Sequence, residues 1–136
     1  MNEILKFLVL HMGFLWVDGR YAIQRSFGGL GSAALYLVSG DLRISLTRDK
    51  GEMFLDFQPV VSDDDSNWFG VHLVYELLID DTRRDSSLLD AEYARFVENH
   101  LDEIERCFST EFWDETRLAL HELAEAQNSR MFPGRP

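Results

Sequence analysis

The chain has 136 residues, of which 46% are hydrophobic and 12% aromatic. This is enough for one domain with its own core and excludes a disordered chain. Its formal charge of −11, from 24 acidic and 13 basic residues, disfavours direct nucleic-acid binding, which needs clustered Lys and Arg. The one cysteine, Cys107, rules out an intrachain disulfide.

In chain order, Glu3 to Met12 reads as a helix, with Ile4, Leu5, Leu8, Val9 and Met12 as its buried stripe and Gly13 as its stop. The apolar run is too short to span a bilayer and is broken by His11 and Gly13. It is therefore read as an internal helix of a cytoplasmic protein with no membrane partner. Phe14 to Val17 is expected to be extended, and Tyr21 to Phe27 to be a strand. Gly28 to Gly31 is expected to form a flexible loop; it lacks the ending of a phosphate-binding loop.

Ala33 to Val38 is strand-like. Leu42, Ile44 and Leu46 alternate with Arg43, Ser45 and Thr47, and Met53, Leu55 and Phe57 alternate with polar neighbours and Phe54. The intervening Arg48-Asp49-Lys50-Gly51 is a hairpin turn, and Pro59 ends the last strand. An antiparallel meander of three to four strands follows. Its outer face shows Arg43, Ser45, Thr47, Phe54 and Asp56.

Trp68 to Ile79 is read as a helix with Asn67 as N-cap, because Phe69, Leu73 and Leu77 recur at helical spacing. Residues 80–87 form a polar linker. Leu88 to Phe108 carries the apolar stripe Leu89, Tyr93, Phe96, Val97, Leu101, Ile104 and Phe108, started by Ser87 and Asp90 in a capping box. Glu111 to Asn128 is a further helix with Phe112, Leu120, Leu123 and Ala124 inward, forming a helical hairpin with its predecessor. The fold class is α+β, a single domain over residues 1–136 with a tail over 129–136.

Motifs for chemistry are sparse. Asp63, Asp65 and Asn67 open like a calcium loop, but Trp68 stands where glycine is needed and Val74 where the final glutamate belongs. His11, His72, His100 and His121 fall in no zinc pattern, and no G-x-S-x-G elbow occurs. No catalytic residue, metal or cofactor is assigned, and an enzyme is disfavoured.

Charge is unevenly spread. Residues 1–48 carry five basic and three acidic groups; residues 49–136 carry eight and twenty-one. The acidity begins at Asp49 and suits a basic protein partner.

The short helix ending at Gly13-Phe14, the hairpin Leu42 to Phe57 and the helical run Asn99 to Ser109 together resemble a group of small bacterial proteins, some of which look like immunity partners of secreted toxins. That resemblance implies no catalytic residues. It implies a binding module, immunity- or antitoxin-like, that neutralises a basic partner such as a toxin by occlusion. The residues expected to contact the partner are Asp49, Glu52, Phe54, Asp56, Asp63, Asp64, Asp65 and Trp68. The alternatives are an adaptor that self-associates through its C-terminal helices, and a small enzyme of unassigned chemistry.

Overall fold

A computed structural model describes residues 1–62, 64–79 and 86–131. The linker's residues 80–85, Asp63 and residues 132–136 lie outside it. Helix α1 spans Asn2–His11, followed by a 3-10 helix over Gly13–Gly19. Then come β1 (Ala22–Gly29), β2 (Ser32–Ser39), β3 (Leu42–Asp49) and β4 (Glu52–Pro59). A 3-10 turn at Asp65–Asn67 leads into β5 (Phe69–Gly70), α2 (Val71–Ile79), α3 (Ala91–Cys107) and α4 (Trp113–Met131).

The α+β architecture is as expected, but the sheet has five strands in the order β1-β2-β3-β4-β5. All neighbouring pairs are antiparallel. The β3–β4 turn shrinks to Lys50 and Gly51, both at positive φ (53° and 85°), the backbone that a two-residue hairpin of this twist requires. Gly28 and Gly29 belong to β1 rather than to a loop, and Gly31 (φ 81°) makes the β1–β2 turn.

Paired residues share a face, so the register sorts the sheet into two surfaces. Ile23, Leu37, Ile44, Phe57 and Phe69 form one cross-strand row, and Ser26, Leu35, Leu46 and Leu55 the next. From these rows, residues of β2 to β5 join Ile4 and Leu8 of α1, Met12 just after it, Val71 and Val74 of α2, Tyr93, Val97, Leu101 and Ile104 of α3, and Trp113 and Leu120 of α4 in one buried core. The helices thus gather on one face of the sheet.

Several expectations need correction. Of the stripe expected for the first helix only Ile4, Leu8 and the C-cap residue Met12 are buried, whereas Leu5 and Val9 are exposed. The helix meets the core along Ile4, Leu8 and Met12 with Phe7 partly buried beside them, a narrower stripe than expected. Phe14 to Val17 is 3-10 helix rather than extended chain. The segment after Asn67 is not helical from its start: Phe69 and Gly70 pair with Phe57 and Asp56, and the helix begins at Val71. At Gly70 an added Cβ would sit 2.5 Å from His72 Cε1, so any larger residue there would have to displace the histidine ring.

Helix α3 starts three residues later than expected. Asp90 is its N-cap, with Oδ1 accepting from Tyr93 N at 2.9 Å, and Ser87 takes no part. The predicted tail is helical as far as Met131. Of the residues expected to face inward from α4, Leu120 is fully buried and Phe112, Leu123 and Ala124 are partly so. α2 packs against both α3 and α4 and is the middle helix of the three.

Two groups of long-range polar contacts tie the elements together. Arg20 donates to Asp102 (2.6 Å) and to Glu105, and the Tyr21 hydroxyl donates to Glu105 at 2.7 Å. Gln127 of α4 donates to the buried Glu76 of α2 at 2.6 Å. Replacing Gln127 with Leu removes one donor from a buried carboxylate, which costs about 1–3 kcal/mol. Urea denaturation of Gln127→Leu should show that loss with an unchanged m-value; stability equal to the parent would mean the contact is not a structural tie.

Candidate functional site

The opposite face of the sheet is the candidate site. Register places Arg25, Tyr36, Ser45, Asp56 and Gly70 in one row across all five strands. Phe27, Ala34, Thr47 and Phe54 form the row on one side, and Ala22, Val38, Arg43 and Gln58 the row on the other. Asp49 and Glu52 pair with each other beside the Lys50–Gly51 turn, on the same face.

Aromatic rings run along this face. Phe27 is 56% exposed and its ring lies 6.2 Å from that of Tyr36, which in turn lies 5.9 Å from Trp68. Phe54 is half-buried. Such rings on a polar surface are the usual anchors of protein recognition.

Of the residues predicted from sequence, Asp49, Glu52, Phe54 and Asp56 share the face by strand parity, and Trp68 and Asp65 border it from the turn before β5. Asp64 is exposed but engaged locally. Its carboxylate caps the 3-10 turn by accepting from Ser66 N at 2.9 Å, which holds its pKa below the ordinary value. Asp63 lies outside the described residues.

Asp56 differs from the other carboxylates. Burial in the central row pushes its pKa up to about 6 from 3.8. It sits between Ser45 and Gly70, with one oxygen 3.5 Å from where a Gly70 Cβ would be. At neutral pH it is a carboxylate kept charged in a poorly solvated place.

Residues that sequence reasoning left out are Gln24, Arg25, Tyr36 and Gln58. With Arg43, Asp65 and Trp68 they line a cavity of about 250 Å3. Tyr36 was legible in principle, because it alternates with Leu35 and Leu37. The others depend on strand pairing. Gln58 is buried, accepts from Arg43 Nη1 at 3.3 Å and donates to the Asp64 carbonyl at 3.1 Å, tying β3, β4 and the acidic turn together.

Among the described residues no three of His, Cys, Asp or Glu lie together as metal ligands would. His100 bonds Glu103 at 2.9 Å and packs on Phe96, while His121 packs edge-on against Phe69, so the two histidines serve separate contacts. Burial raises the Cys107 thiol pKa, which disfavours its reactive thiolate form. Among the described residues no helix is long and apolar enough to cross a membrane.

The chain matches no family model, no curated protein and no solved structure.

Proposed function

We propose that this chain is a protein-binding module of the immunity or antitoxin kind, which docks the face of its sheet opposite the described helices on a basic partner such as a toxin and occludes it. The observation that carries this reading is the run of rings Phe27, Tyr36 and Trp68 on that face, bordered by Asp49, Glu52 and Asp65. An aromatic centre with a charged rim is how specific interfaces are built. The acidity of residues 49–136 supplies long-range attraction for a cationic surface and speeds encounter.

The test is co-purification from the native host, followed by affinity measurement on the recovered complex. A basic, toxin-like protein should be recovered. Trp68→Ala should weaken its binding by roughly 30-fold, about 2 kcal/mol. Phe27→Ala, at a more exposed position, gives a second reading free of folding effects. Association should slow as salt rises. Recovery of no basic partner, or a partner indifferent to both substitutions, sinks the proposal.

Self-association is a second reading with its own observation. Leu5, Val9 and Leu10 are exposed together on α1. That patch, rather than the C-terminal helices, is where a copy would pack. Light scattering at high concentration decides it: a monomer removes this reading, and a dimer broken by Val9→Asp supports it.

A further inference from the structure

The cavity on this face has features that partner docking does not require. Gln24 and Arg25 are neighbours in sequence, and neighbours on a regular strand point to opposite faces. Both line the same cavity. The register breaks between Ile23 and Arg25, so Gln24 is the extra residue of a β-bulge, which re-aims the side chains there.

The Arg25 guanidinium carbon lies 4.4 Å from the centroid of the Tyr36 ring. No described carboxylate pairs with it, although the chain has 24 acidic residues. Arg20, by contrast, is engaged by both Asp102 and Glu105. A second guanidinium, that of Arg43, lines the cavity from β3 and is braced by Gln58. Among the described lining residues Asp65 is the one carboxylate, and no ion pair joins it to Arg25. The rings of Tyr36 and Trp68 form the walls.

We propose that this cavity is a carboxylate-binding site, in which Arg25, held over the Tyr36 ring, receives a carboxylate while Trp68 covers the group that carries it. Guanidinium is the side chain best shaped for two-point pairing with a carboxylate, and stacking on a ring pre-orders it. A volume of about 250 Å3 is below that of drug-sized or nucleotide pockets. It takes one ring or one side chain. The ligand is therefore a small single-ring carboxylate or the acidic side chain of a bound protein.

The test is a nuclear magnetic resonance titration of the intact chain with four probes: benzoate, its neutral counterpart benzamide, and glutamate and glutamine each capped at both ends. At least one of the two acids should shift the Trp68 indole N–H saturably and bind about tenfold or more tighter than its neutral amide. Arg25→Met, an exposed position whose fold is checked by circular dichroism, should lose most of that preference. Binding by benzoate alone identifies a ring-bearing small molecule as the source. Binding by capped glutamate, alone or with benzoate, identifies a protein side chain. The proposal is overturned if neither acid saturates at Trp68, if the amides bind as tightly as the acids, or if Arg25→Met binds as the parent does.

Discussion

Replacing Phe57 with Ala should destabilise the protein by about 3–5 kcal/mol. Phe57 is fully buried on β4, paired with Ile44 on one side and Phe69 on the other, with its ring 6.0 Å from that of Phe108. It is the point where the sheet, the fifth strand and the end of α3 meet. Truncation leaves a void that neighbours on three elements cannot fill together, so the cavity cost adds to the lost transfer energy. In a domain of ordinary stability the thermal midpoint should fall by roughly 10–20 °C. Phe27→Ala is the matched control: the same truncation at 56% exposure should change stability by no more than about 0.5 kcal/mol. Similar losses for the two variants would contradict the packing described for Phe57.

The second large effect is pH-dependent. Asp56 titrates near 6 in the folded protein and near 3.8 when unfolded. Between those values the folded state binds the proton more strongly, so its stability falls as pH rises. The cost is absent below about pH 4, grows between about 4 and 6, and is constant above. This is opposite to the usual salt-bridged carboxylate, whose folded pKa is depressed. Asp56→Asn should therefore stabilise the protein at pH 7 by about 1–3 kcal/mol and leave it nearly unchanged at pH 4. Denaturant curves of both proteins at the two pH values test this. A variant less stable than the parent at pH 7 would show that the ionised carboxylate is favoured where it stands. A charge retained at such a cost on the face opposite the helices is what a partner-binding role for that face would call for.

Much of the scaffold was legible because its signals are local. Alternation in Leu42 to Thr47 and Met53 to Phe57 sets which side of each strand is apolar, and Lys50-Gly51 sets the turn between them. The stripe Tyr93, Phe96, Val97, Leu101, Ile104 and Phe108 is buried along its whole length. The candidate site was half legible for the same reason: once Leu55 and Phe57 face inward, Phe54 and Asp56 must face out.

What the sequence by itself determined, then, is the class of fold, the β3–β4 hairpin, α3 and the asymmetry of charge, since each is written in residues within a few positions of one another. Tertiary structure decided the remainder. Phe69 and Gly70 form a fifth strand because the edge of β4 is there to receive them; two residues carry no period of their own, and helical spacing to Leu73 disguised them. Leu5 and Val9 stay exposed because the sheet offers α1 only a narrow line of contact. Arg20 finds Asp102 and Glu105 more than eighty residues away. Gln24 and Arg25 come to one side only through the bulge against β2. Each of these depends on which distant edges meet, and pairing between distant segments leaves no mark in the local pattern of either one.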